Sequence, residues 1–318
     1  MKTLRTAVIG AGHLGRHHVR LHAADPRARL VAVVDSDPAR AREFAGPHGA
    51  LALTDPAGLA GQVDAVSVAV PTIAHESVAR PLLEAGIHVL VEKPIARSVA
   101  EADGLIAAAA ASGAVLAVGQ TERFNPALAA LQVRAERPRF IEAQRLGSFS
   151  ARSTDIDVVL DLMIHDLDAI LALTKGRATE VAAIGVGALT HTVDIANARV
   201  VFDTGCVANL TASRISDQKV RKLRVFEPRA YFSLDYAERS LDHAWLEAPP
   251  GAAPAIRRER LALADDEPLR REISAFLAAA AGEGPVIVPG VEGREALALA
   301  LRITDAIRAG AESAARTA

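Results

Sequence analysis

The chain has 318 residues, 50% of them hydrophobic and 23% charged, and a net charge of -2. At about 100–200 residues per domain that length implies two domains, and the composition excludes a disordered or collagen-like chain. The near-neutral charge, the single cysteine (Cys206) and the lack of an apolar run long enough for a signal peptide or membrane span point away from nucleic-acid, membrane and disulfide-framework proteins, and towards a reducing, cytoplasmic setting.

Over the first 120 residues, short β-rich runs alternate with helical ones. Strands are predicted at 5–10, 30–35, 50–53, 64–70, 88–92 and 115–119, with helices at 13–24, 38–44, 74–85 and 99–112. Runs such as VAVVD and AVSVAV are almost continuously apolar, as strands buried on both faces are, so a parallel sheet covered by helices is expected. Residues 1–121 thus read as a doubly wound α/β domain. After Gln120 the pattern changes. A helix over 124–134 is opened by Asn125-Pro126. A strand at 140–147, a polar stretch at 148–157 and a helix at 158–173 follow. Strands at 180–189, 195–202, 206–214, 220–226 and 231–235 then come with few helices between them, and turns such as Asp203-Thr204-Gly205 make antiparallel neighbours the expectation. The stretch 248–255 reads as an exposed loop, helices at 268–281 and 291–309 close the chain, and 313–318 reads as frayed. Residues 122–318 are therefore expected to form an α+β domain, with the last helix packing back on the first domain.

The turn Gly10-Ala11-Gly12-His13-Leu14-Gly15 lies between the first strand and the first helix, the context a dinucleotide-binding loop requires. Gly10 permits the tight turn, Gly12 lets the backbone approach a pyrophosphate, and Gly15 lets helix and strand pack closely, while the helix N-terminus offers N–H groups to phosphate. Asp35 ends the second strand, where a carboxylate accepts hydrogen bonds from ribose hydroxyls and repels a 2′-phosphate. NAD is therefore expected ahead of NADP, a preference that Arg40 and Arg42 nearby would soften. Gly185-Val186-Gly187 lies inside a predicted strand and opens no helix, so it is not a phosphate loop.

Pro71, Thr72 and His75 follow the fourth strand, and Glu92-Lys93-Pro94 follow the fifth. Loops at the carboxyl ends of such strands line the ligand crevice, which puts Lys93 where a nicotinamide and its substrate meet. The predicted cofactor set is Gly10, Gly12, His13, Leu14, Gly15, Asp35, Pro71, Thr72, His75, Glu92, Lys93 and Gln120. On the helix VVLDLMIHDLD, Asp157, Asp161, His165 and Asp168 recur at spacings that put them on one face. That stripe is either a solvated surface or a histidine oriented by carboxylates for general-base work. His13, His17, His18 and His22 crowd the first helix, but without an H-E-x-x-H pattern or an evident third ligand no metal site is expected.

The segments GAGHLG, VPTIAHESVARPLLEAGIHVLVEKP and GQTERFNP, the DLMIHDLD helix and the closing EPLRREISAFL and VEGREALALAL runs together resemble the Gfo/Idh/MocA family of nicotinamide-dependent oxidoreductases over nearly the whole chain. The resemblance implies a Rossmann domain followed by an α+β domain with a large, open, mainly antiparallel sheet, whose outer face builds a homodimer or homotetramer. It implies Lys93, Asp161 and His165 as catalytic positions. The segments GQTERFNPAL, RSTDIDVVLDLMIHDLDAIL and TASRISDQKVRKLRVFEPRAYFSLDY are similar to the UDP-N-acetylglucosamine 3-dehydrogenases within it. This implies a nucleotide-sugar substrate whose C3 hydroxyl is oxidised to a ketone, which a sugar aminotransferase then converts to a 3-amino sugar for lipid A. The chain departs from that group at Gln120 and Thr121, one of which is expected to be histidine. His165 is the expected base, Asp161 its partner and Lys93 the donor to the developing alkoxide; Lys93 as the base is the alternative. Arg123 and Asn125 complete the predicted substrate set, with Arg123 placed either on a substrate phosphate or in a domain-interface salt bridge. Other readings are a different sugar or cyclitol dehydrogenase of the family and, from another class, a non-catalytic NAD-binding sensor or scaffold.

Overall fold

A computed structural model of the chain describes residues 3–149, 156–248, 250 and 253–317. The predicted polar stretch 148–157 and loop 248–255 fall in part outside these residues. The chain divides into two compact units, Met1–Thr121 with Glu267–Leu297, and Glu122–Asp266 with Ala298–Ala318.

In the first unit β1 (Leu4–Ile9), α1 (Gly15–Ala24), β2 (Ala28–Val34), α2 (Pro38–Ala45), β3 (Leu51–Leu53), β4 (Ala65–Val68), α3 (His75–Glu84), β5 (His88–Glu92), α4 (Val99–Ser112) and β6 (Leu116–Gly119) alternate along the chain. The six strands pair in the order β3-β2-β1-β4-β5-β6, and every pair is parallel. Consecutive residues such as Ala7 and Val8, Val66 and Ser67, or Val89 and Leu90 are all buried, so both sheet faces are covered, as the continuous apolar runs require. Helix starts follow local chemistry. Asp37 accepts the Ala39 N–H at 2.9 Å to cap α2, and Ser98 accepts the Glu101 N–H at 3.2 Å to cap α4. The strand order reverses between β1 and β4, which makes the carboxyl ends of these two strands the ligand end of such a sheet.

The same unit takes in α7 (Pro268–Ala280), whose Leu269, Ile273, Phe276 and Leu277 pack with Leu4, Leu21 and Leu90. The chain then runs beside β6, where the Val118 N–H donates to the Val288 carbonyl at 3.0 Å. The closing helix α8 (Gly290–Thr317) contributes 290–297 to this unit and the rest to the second. It runs through Gly310 to Thr317, past the predicted end at 309 and into the stretch read as frayed, because the Ala-rich tail keeps helical propensity.

The second unit holds α5 (Pro126–Arg134), β7 (Phe140–Leu146), α6 (Ile164–Thr174), β8 (Ala178–Val186), β9 (Ile195–Phe202), β10 (Val207–Ser213), β11 (Val220–Glu227), β12 (Ala230–Asp235), β13 (Ser240–Glu247) and β14 (Ala255–Arg260). They form an eight-stranded sheet in the order β14-β13-β12-β11-β7-β10-β9-β8, antiparallel except for the parallel pair β7 and β10. Burial alternates along β7 and β9, so one face is apolar, with Ile141, Ala143, Ala198, Val200, Leu223 and Phe232 fully or almost fully buried. On that side α5 packs against β12 and β13, and α6 against β7. The other face carries polar ladders such as Asn197 to Thr211 at 3.0 Å and Arg224 to Glu142 at 3.0 Å. Strands β13 and β14 were not among the predicted elements. Every residue of β14 is exposed, and its register rests on cross-strand ion pairs, Arg257 with Glu247 at 2.7 Å and Arg260 with Asp242 at 2.7 Å, so it has no apolar alternation to read.

Candidate active site

The glycine turn joins β1 to α1. Gly10 has φ +87°, and a Cβ there would stand 2.5 Å from the Ala69 carbonyl oxygen; a Cβ on Gly15 would collide with the Gly10 carbonyl. Both positions are therefore closed to other residues by the fold itself. Gly12 differs: a Cβ there would meet no atom of the described residues within 4 Å, so this glycine answers no packing demand among them and leaves its backbone face bare. His13 and Leu14 are exposed beside it. Asp35 is buried at the end of β2, and its carboxylate accepts the Ala11 N–H at 2.8 Å and the Asp37 N–H at 2.9 Å. Arg40 Nη1 lies 3.1 and 3.3 Å from its two oxygens. The predicted ribose ligand thus also ties the glycine turn to β2, and a hydroxyl donor to it shares the carboxylate with Arg40. At the end of β6, Gln120 is 1% exposed and neither polar atom of its side-chain amide has a partner among the described residues. A buried amide in that state is costly unless a ligand completes its hydrogen bonds. The bare Gly12 face and the orphaned Gln120 amide both fit a dinucleotide along this edge.

The Glu92-Lys93-Pro94 segment leaves β5 through a cis Lys93–Pro94 peptide. Lys93 is half-buried, and Glu92 beneath it is 6% exposed. Glu92 Oε1 lies 3.0 Å from His18 Nε2 on α1, and Glu92 Oε2 accepts the Lys93 N–H at 3.3 Å. His75, at the start of α3, is buried with Nδ1 2.8 Å from the Pro94 carbonyl oxygen and Nε2 2.9 Å from that of Val70. Pro71 is exposed and Thr72 half-buried in the turn between these loops. The crowded histidines of α1 divide: His18 and His22 face inward, to Glu92 and to Ser67 (Nε2 to Oγ 2.8 Å), while His13 is exposed and His17 half-buried. Burial pushes the His22 ring down to about 3.

In the second unit the predicted continuous helix begins as a π-helical turn, Val159–Met163, before α6. This breaks the four-residue stripe expected there. Asp157 precedes the helix; one oxygen accepts the Leu160 N–H at 2.9 Å and the other the Thr304 hydroxyl at 3.1 Å. Asp168 is buried and takes Arg123 Nη1 at 3.3 Å. Asp161, in the π turn, and His165, in the first turn of α6, are half-buried, as Asp157 is. Nor is the helix a solvated surface. Asp166 is 2% exposed and paired in a two-bond fork with Arg145, Nε to Oδ2 2.9 Å and Nη2 to Oδ1 2.9 Å, and Arg145 also reaches Glu122 at 2.9 Å. π turns recur at functional sites because they re-aim one side chain without ending the helix. Asn125 is buried as the cap of α5, accepting the Ala127 N–H at 3.1 Å and donating to the Tyr236 carbonyl at 3.1 Å. The predicted site residues therefore gather in two groups: the glycine turn, Asp35, His75, Glu92, Lys93 and Gln120 at the carboxyl edge of the six-stranded sheet, and Asp161 with His165 on successive turns of the second unit. The Arg145, Asp166 and Glu122 cluster and the His18 to Glu92 pair were not singled out from the sequence. His18 carried one signal, its place among apolar neighbours on the inward side of α1.

Residues 4–120 match the family model described as "Oxidoreductase family, NAD-binding Rossmann fold", and residues 129–231 match the Gfo/Idh/MocA C-terminal domain. A curated UDP-N-acetylglucosamine 3-dehydrogenase of Acidithiobacillus ferrooxidans is 42% identical over 309 residues, spanning 96% of this chain and 98% of the relative. A solved structure of the UDP-N-acetylglucosamine 3-dehydrogenase from that organism superposes with a TM-score of 0.90 at 41% identity, covering 97% of this chain and 99% of that one. An inositol 2-dehydrogenase of Pseudarthrobacter chlorophenolicus is 34% identical over a shorter stretch, 57% of each chain. From the glycine turn at residue 10 to the sheet that ends the second match, the chain belongs to the Gfo/Idh/MocA family of NAD-binding oxidoreductases.

Proposed function

We propose that the chain oxidises the C3 hydroxyl of UDP-N-acetylglucosamine to a ketone. The observation that carries this reading is likeness at 42% identity along 96% of the chain to an enzyme named for that reaction. Gly12, Asp35 and Gln120 hold NAD, which when bound supplies the hydride acceptor. His165 takes the hydroxyl proton on an imidazole nitrogen, imidazole being the side chain suited to proton transfer near neutral pH. Asp161 stabilises the resulting imidazolium. Lys93 donates a hydrogen bond to the reacting oxygen and favours its alkoxide character. With Lys93 as the base, His165 would be the hydrogen-bond donor instead. The product is a keto sugar, so a sugar aminotransferase is the partner reaction, and the setting is the cytoplasm. The eight-stranded sheet supports self-association into a homodimer or homotetramer, since Ile184 and Val186 on its edge strand β8 are exposed.

The test is NADH absorbance after mixing protein, NAD and UDP-N-acetylglucosamine with hydroxylamine present to trap the ketone, because alcohol oxidation by NAD is uphill. NADH formation that is lost in His165→Ala and in Lys93→Met, with NADH binding retained, supports the reading. No NADH from this sugar nucleotide in a protein that binds NADH overturns the substrate and moves the search to free sugars and cyclitols.

A further inference from the structure

Beside Lys93 the first unit buries His18 and His75, neither of which takes part in the proton transfer described above. His18 is fully buried on α1, and its Nε2 holds Glu92 Oε1 at 3.0 Å. The other oxygen of that carboxylate accepts the backbone N–H of Lys93. Glu92 has no slack on its third side: a Cβ on Gly119 would stand 2.9 Å from Glu92 Cδ, so the carboxylate packs against the bare Cα of β6. On the far side of Lys93, His75 Nδ1 lies 2.8 Å from the Pro94 carbonyl oxygen. The residue before Lys93 and the residue after it are thus each held by a buried imidazole, from two different helices. Burying a carboxylate and two imidazoles costs more than an apolar core of the same volume, and the return on such groups is a defined geometry.

We propose that His18 and His75 are positioning residues for Lys93, acting through the Glu92 carboxylate and the Pro94 carbonyl, so that the ammonium is delivered to one place at the carboxyl edge of the sheet. The proposal rests on Lys93 having the catalytic role given above. A reacting group misplaced by about 1 Å loses on the order of a hundredfold in rate, so a loosened 92–94 segment should appear in kcat before it appears in cofactor affinity.

Reductive methylation with ¹³C-formaldehyde labels Lys93 together with Lys2, Lys175, Lys219 and Lys222, and Lys93→Met identifies the Lys93 resonance. In His18→Leu that resonance is expected to move while those of Lys175, Lys219 and Lys222 stay. The kcat of the unlabelled variant should fall about tenfold or more, with the Kd for NADH changed less than about twofold. His18→Gln, which keeps an amide donor for Glu92, should restore both readouts. His75→Leu loosens the other end of the segment and should move the same resonance, which keeps the test open if His18→Leu fails to fold. A Lys93 resonance unmoved in both leucine variants overturns the proposal. A resonance that moves while Lys93→Met keeps full activity upholds the positioning and overturns the catalytic role instead.

Discussion

The buried ring of His22 makes stability depend on pH in a way the structure lets one size. His22 has no exposed surface, and among the described residues its side chain bonds to Ser67 Oγ at 2.8 Å. Burial first, and the neighbouring His18 second, lower its pKa to about 3, against a value near 6.5 in an unfolded chain. Between these two values the unfolded chain binds a proton that the folded chain refuses, so stability must fall as pH drops below about 6.5. At about 1.4 kcal/mol per pH unit, going from pH 7 to pH 4.5 should cost roughly 2.7 kcal/mol through this ring alone. His22→Gln keeps an amide for Ser67 but does not titrate. Urea unfolding followed by circular dichroism, for wild type and variant at both pH values, isolates the ring, because the carboxylates titrating in the same window cancel in the difference. The gap between the two proteins should shift by roughly 2–3 kcal/mol in favour of the variant at pH 4.5. Two stability curves that run parallel, within about 0.5 kcal/mol of a constant offset, would refute the assignment of a neutral, buried His22.

Gln120→Leu should raise the thermal stability of the cofactor-free protein by about 1–3 kcal/mol, because it removes two buried polar atoms that have no partner among the described residues, while weakening NADH binding in a fluorescence titration. Arg40→Ala should lower affinity for NADP relative to NAD by about tenfold, since Asp35 would meet a 2′-phosphate without the neutralising guanidinium; calorimetry with both cofactors reads this. Gly119→Ala should push Glu92 off its site and lower kcat by about tenfold at little cost in NADH affinity. Asp194 is fully buried in the turn between β8 and β9, accepting the N–H groups of Ala188, Leu189 and Thr190 and Arg214 Nε at 3.0 Å, so Asp194→Ala should cost about 3–5 kcal/mol in urea unfolding. These bonds hold its carboxyl far below the usual carboxylate range, so that stability is present above about pH 4 and lost as pH falls further.

Much of this protein is set by local sequence. The apolar runs of β1, β2, β4 and β5 can only be strands buried on both faces, and the glycines at 10 and 15 can only be a tight strand-to-helix turn, so the parallel sheet and its cofactor edge follow from spacing and side-chain size. The placing of Lys93 just after β5 follows from the same reasoning. What the sequence leaves open depends on partners far along the chain. Asp157, Asp161, His165 and Asp168 share one helical stripe in sequence, yet a π turn, Thr304 and Arg123 draw two of them into structural bonds. The histidines of α1 look alike by spacing, and only contact with Glu92 and Ser67, more than forty residues away, distinguishes His18 and His22. Strand β14 has no apolar alternation, and its pairing comes from charges on its neighbour. Helix α7 reads as part of the second half of the chain, but its apolar face matches the core around Leu4 and Leu90. Periodicity reports how a segment prefers to fold. Which buried charge finds which partner is an electrostatic question settled only once the chain has closed on itself.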